Sequence, residues 1–81
     1  MYKLQVQTKT TLQEILNPID VRIDKNQNIN RLEIKDNSGD WILVVRFVDL
    51  SYLEEKEIEE NALNVINDAI KKRKNYVFVD V

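Results

Sequence analysis

The side chains that most often carry enzyme chemistry are missing from this 81-residue chain, which has no His and no Cys. Without His, no side chain has an ordinary pKa near neutrality for general acid–base work. Without Cys there is neither a thiolate nucleophile nor a disulfide. The same absences remove the usual zinc ligands and leave carboxylates as the donors for a hard cation. Asp20 and Asp24 are spaced to fall on the polar side of one strand, the pair best placed for such an ion, although alternating charges on an exposed strand face are the ordinary outcome of that pattern. The single glycine, Gly39, cannot build a phosphate-cradling loop. Ser38 and Ser51 read as a turn residue and a helix cap. The expectation is a non-enzymatic protein with no metal and no cofactor.

Two charge clusters remain. Asp49, Glu54, Glu55, Glu57, Glu59 and Glu60 form an acidic run broken by Lys56, and Lys71, Lys72, Arg73 and Lys74 form a basic one. Acidic residues at the start of a helix and basic residues at its end complement the helix dipole, which accounts for the polarity of both clusters. Glu57, Glu59 and Glu60 lie beyond the first turn and repel one another, so that account covers them less well. A functional reading takes the run as a carboxylate array for a basic protein surface, such as a nucleic-acid-binding host protein, with long-range attraction speeding association. The basic cluster, with Tyr76 nearby for stacking, suits single-stranded nucleic acid. The net charge of −2 makes nucleic acid the weaker expectation.

The elements that must position these residues follow from periodicity. Residues 2–8 alternate as a half-buried strand. Thr11, Leu12, Gln13 and Glu14 match a capping box, which predicts a short helix over 11–17, stopped by Asn17-Pro18. Residues 19–24 and 29–35 alternate again, joined by a polar turn over 25–28. Asp36-Asn37-Ser38-Gly39 predicts a type I turn with Gly39 in the left-handed position. Ser51 to Glu54 is a second capping box, opening a long helix over 51–74 whose apolar stripe runs through Ile58, Ala62, Leu63, Val65, Ile66, Ala69 and Ile70. Asn75 is its expected left-handed cap, and 76–81 returns as a short strand.

The strand from Trp41 to Val48 is apolar on both faces. Strict alternation places Trp41, Leu43, Val45 and Phe47 on one side and Ile42, Val44, Arg46 and Val48 on the other. The long helix covers one side. The other is covered by the 11–17 helix or by another molecule, which makes Ile42, Val44, Arg46 and Val48 a candidate homodimer or assembly interface. The fold class expected is α+β: one domain over 1–81, with a four- to five-stranded, mainly antiparallel sheet under one long helix.

The segment Ile34-Lys35-Asp36, its turn and strand, and then Val48-Asp49-Leu50-Ser51 leading into a helix resembles small prophage-encoded proteins of Gram-positive bacteria. In size, acidic helix and sheet the chain also resembles anti-CRISPR and other host-directed phage inhibitors. This resemblance spans the second half of the chain and implies protein binding without chemistry. A composition rich in Asn, Ile, Lys and Glu but poor in Gly, Pro and Ala fits an AT-rich genome. No apolar run approaches the roughly 18 residues of a membrane span, and the start lacks a signal-peptide core, so a cytoplasmic location in the bacterial host is expected. The leading expectation is a phage or mobile-element accessory protein binding a protein partner through its acidic helix. The alternatives are a homo-oligomeric assembly protein and a single-stranded nucleic-acid binder using residues 71–74.

Overall fold

Alternation in the sequence becomes six short strands and one helix in the computed structural model, which describes residues 1–26, 28–48 and 51–81. The order is β1 (Lys3–Gln7), β2 (Leu12–Leu16), β3 (Pro18–Asp24), β4 (Arg31–Asp36), β5 (Trp41–Arg46), α1 (Tyr52–Lys71) and β6 (Tyr76–Phe78). The class is α+β. The expected single sheet is instead two three-stranded sheets, ordered β2-β1-β6 and β3-β4-β5. The break between them is Asn17, whose φ of 47° turns the chain from β2 straight into Pro18 at the start of β3. Asn tolerates that left-handed backbone. Its N–H donates to the Tyr2 carbonyl at 2.7 Å and its Oδ1 accepts the Tyr2 N–H at 3.2 Å.

The short helix expected over 11–17 is strand β2, paired antiparallel to β1 from Lys3↔Leu16 to Gln7↔Leu12. Thr8 wins the local competition. Its N–H donates to the Thr11 carbonyl at 2.8 Å, and its Oγ1 accepts the Thr11 N–H at 3.0 Å, so Thr11 closes a hairpin in place of a capping box. A helix confined between Thr11 and Pro18 would carry the full nucleation cost over at most two turns. The strand pairs at once with β1 and buries Ile15 opposite Leu4. Gln13 also points inward, and its Nε2 donates to the Leu43 carbonyl of β5 at 3.1 Å, tying the two sheets together.

In β5 the strict alternation fails at one residue. The register steps from Leu32↔Val45 to Glu33↔Leu43, leaving Val44 as an extra residue. Such a bulge inverts the phase of everything beyond it. Trp41 and Leu43 therefore share the outer face with Lys35 and Glu33, whereas Ile42 before the bulge and Val45 and Phe47 after it reach the core. The expected strip of Ile42, Val44, Arg46 and Val48 is not a continuous face. Val44 is buried and Ile42 packs on the core, while Arg46 and Val48 are exposed.

Helix α1 starts at the expected box: Ser51 Oγ accepts the Glu54 N–H and the Glu54 carboxylate accepts the Ser51 N–H. It ends at Lys71, three residues before the expected 74. The left-handed residue is Arg73 (φ 51°), two positions before Asn75. The Lys74 N–H reaches the Ala69 carbonyl and the Arg73 N–H that of Ile70, a Schellman closure that satisfies the last carbonyls. Ala62, Ile66 and Ala69 are fully buried, and the helix packs beside β3 and β6. The Asp36–Gly39 turn forms as expected, with Gly39 at φ 95°. After α1 the chain returns as β6, parallel to β1. Leu4, Val6 and Ile15 from one sheet meet Leu32, Ile34, Val44 and Phe47 from the other in one hydrophobic cluster.

This phase assignment is testable by mutation. Val44→Ala removes two buried methyl groups and is expected to cost about 2 kcal/mol, whereas Arg46→Ala should stay within about 0.5 kcal/mol. Equal effects in urea melts would refute the bulge.

Candidate functional site

The two sheets treat their outer faces differently. On β3-β4-β5 the charges are opposed across the strands: Asp20 faces Lys35, Arg22 faces Glu33 and Asp24 faces Arg31. Arg22 bridges Glu33 at 2.9 Å and lies 4.0 Å above the Trp41 ring, so Glu33 is buried beneath its partner. Asp24 pairs with Arg31 and Arg22. The Asn26 N–H and the Arg31 guanidinium hold the Asp24 carboxyl below its ordinary pKa. Asp20 accepts its neighbour's N–H from Val21. Asp20 and Asp24 thus serve the sheet, and on this face Glu33, Arg22, Asp24 and Arg31 form a continuous chain of ion pairs.

The outer face of β2-β1-β6 carries unburied apolar groups. Register places Leu12, Gln7 and Phe78 in one row, Glu14, Gln5 and Tyr76 in the next, and Leu16 beside Lys3 in the third. Leu12 is 57% exposed, Leu16 45%, Tyr76 50% and Phe78 48%. The inward residues of the same strands, Leu4, Val6, Ile15 and Val77, are buried. Strand spacing puts the leucine flank about 10 Å from the aromatic flank, with the Lys3-Gln5-Gln7 stripe between them. Gln7 Nε2 is bound to the hairpin carbonyls of Thr8 and Thr11, at 2.8 and 3.0 Å. Lys3 and Glu14 pair at 3.7 Å, leaving the face without net charge.

The acidic run is dispersed over the helix surface. Asp49 lies outside the described residues. Glu54 is committed to the helix cap, Glu55 is half-buried, and Glu57 and Glu60 are exposed. Glu59 is buried, accepting from Asn30 Nδ2 at 2.8 Å with Lys25 Nζ at 3.4 Å. The five described carboxylates are therefore not brought together as one array. The basic cluster is also partly engaged. Lys72 and Lys74 bridge Asp68 at 3.1 and 3.3 Å, and the Arg73 guanidinium stacks on Tyr2 at 4.6 Å. Among the described residues no cluster of three or more His, Cys, Asp or Glu side chains could hold a metal ion.

Sequence reasoning missed Leu12, Leu16 and Phe78 as surface residues. The signal was present in residues 76–79, where Tyr76 and Phe78 in one phase and Val77 and Val79 in the other make a second strand apolar on both sides. Leu12 and Leu16 were hidden by their helical spacing. No helix among the described residues is long and apolar enough to cross a membrane. Comparison with protein-family models, with curated proteins and with solved structures returns no match.

Two measurements probe these assignments. Glu59→Lys sets an ammonium beside Lys25 and leaves Asn30 without its acceptor, an expected loss of about 2 kcal/mol or more, whereas Glu57→Lys should be nearly neutral in thermal melts. Because the folded pKa of Asp24 is depressed, its contribution is complete above the unfolded value and lost as pH falls through the folded one. The melting advantage of the natural protein over Asp24→Asn should therefore shrink as pH falls through and below the ordinary aspartate range at about 4. A pH-independent difference would contradict the pairing.

Proposed function

We propose that this chain is a non-enzymatic protein-binding module whose contact surface is the outer face of β2-β1-β6. The observation that carries the reading is the exposure of Leu12, Leu16, Tyr76 and Phe78 on one face of a sheet whose opposite face, Leu4, Val6, Ile15 and Val77, is buried. Exposed apolar groups gathered on one face mark interaction sites, and aromatic side chains at such sites supply large contact area at low entropic cost. A nucleic-acid platform would pair its aromatics with unpaired cations. Here Lys3 is matched by Glu14, and three of the four cations at 71–74 have intramolecular partners. A neutral apolar face with amide groups suits a protein surface better.

The resemblance to small phage accessory proteins and host-directed inhibitors supports the same reading. Such proteins act by occupying a surface and need no catalytic group. Exposed Glu57 and Glu60 add a negative flank that favours encounter with a basic partner.

The double variant Leu12→Ser, Leu16→Ser removes the leucine flank at an expected cost of about 1 kcal/mol per site. It should fold and yet lose the proteins that the natural chain captures from a low-GC bacterial lysate. An identical captured set would overturn the proposal. So would a concentration-dependent mass in light scattering that the same variant abolishes, since the face would then serve self-association.

A further inference from the structure

The edge of β6 that does not pair with β1 faces α1 across an open groove of about 490 Å³. Asn64, Val65 and Asp68 form its helical wall, Tyr76, Val77 and Phe78 its strand wall, and Lys74 stands at one end. The direction of the β6 backbone follows from three bonds. The Gln5 N–H donates to the Asn75 carbonyl at 2.9 Å, the Val79 N–H to that of Gln7 at 2.8 Å, and the Lys9 N–H to that of Val81 at 2.9 Å. Asn75, Val79 and Val81 thus turn backbone groups toward β1. Because a strand directs alternate residues to opposite neighbours, the N–H and C=O groups of Tyr76 and Phe78 point away from β1 and into the groove. Among the described residues no hydrogen bond engages them.

A bare strand edge beside a helix is the geometry in which an extended segment adds to a sheet, with main-chain bonds giving affinity and the walls giving selectivity. Charge selects the occupant. Lys74 lines the end of the groove where β6 begins, Lys72 joins it on the Asp68 carboxylate, and Lys71 lies one helical turn beyond Asp68, so three cations stand against one carboxylate, an excess of two positive charges. The rest of the lining is apolar or neutral. A strand running antiparallel to β6 brings its C-terminal end to the basic end.

We propose that this groove receives an extended segment of a partner protein as a fourth strand beside β6, with alternating apolar residues and acidic residues at its C-terminal end. The assignment rests on the protein-binding reading and extends it to a second, adjacent surface. It gives Lys71, Lys72 and Lys74 a role that the helix dipole alone leaves optional.

The test is an NMR titration of the full ¹⁵N-labelled chain with a blocked peptide, Thr-Val-Thr-Val-Asp-Glu, and a control ending in Lys-Lys. The acidic peptide is expected to shift the Tyr76 and Phe78 amides and slow their exchange with solvent. It should bind about tenfold more tightly than the control at low salt, the effect of two added charge pairs. Lys71→Glu should erase most of that preference while leaving the thermal melt near that of the natural chain. Three results would overturn the proposal: no response at Tyr76 and Phe78 at millimolar peptide, equal binding of both peptides, or protection of these amides by concentrating the protein alone. If Leu12→Ser, Leu16→Ser loses its captured partner while the peptide leaves these amides unmoved, the groove assignment fails and the sheet-face reading stands.

Discussion

Strand β1 is the constraint from which the rest of the structure follows, because it is bonded on both edges by parts of the chain far apart in sequence. Its even-numbered residues meet β2 and its odd-numbered residues meet β6, while Leu4 and Val6 point inward and are completely buried. The β6 pairing is parallel, so it demands a crossover, and α1 is that crossover. The junction is fixed at the helix end as well. The Tyr2 hydroxyl lies within hydrogen-bonding distance of the Ala69 and Lys74 carbonyls, at 3.2 and 2.7 Å, and burial pushes its pKa up against the opposing charge of Arg73. Without a strand shared by both ends of the chain, α1 would have no reason to lie along β6, and the groove between them would not exist.

The distribution of charge explains which surface is structural and which is available. Opposite charges directly across an antiparallel pair each contribute modestly, yet two such pairs on β3-β4, Arg22 with Glu33 and Asp24 with Arg31, are linked through Arg22 and together cover Glu33 and Asp24. On β2-β1-β6 the outward positions hold, besides the Lys3–Glu14 pair and the glutamines, leucines and aromatics that have no such way of satisfying one another. The apolar surface stays exposed because the core on the other side already takes the inward residues, and α1 is long enough to cover only the inner side.

Local chemistry was readable where local interactions decide the outcome. The Ser51–Glu54 box, the Gly39 turn and the helix stripe through Ala62, Ile66 and Ala69 formed as expected, because each is settled by neighbours within a few residues. Asp20 and Asp24 were readable as part of an alternating charged strand face, but the pairing of Arg22 with Glu33 and of Asp24 with Arg31 follows from the β3-β4 register. The segment 11–17 was not. Its helical signal was genuine, but Thr8 and the exposed edge of β1 lie outside the window in which that signal was read.

The sequence by itself determined the α+β class, the absence of His and Cys chemistry, and the positions of most turns and strands. These depend on composition and on periods of two and 3.6 residues. Only the tertiary structure decided that the strands divide into two sheets, that Val44 is an inserted residue, and that Glu59 is buried rather than displayed. It alone placed Leu12 and Leu16 on the same face as Tyr76 and Phe78. Strand register and sheet membership are set by pairing between distant segments, and a one-residue step in either moves a side chain from core to surface.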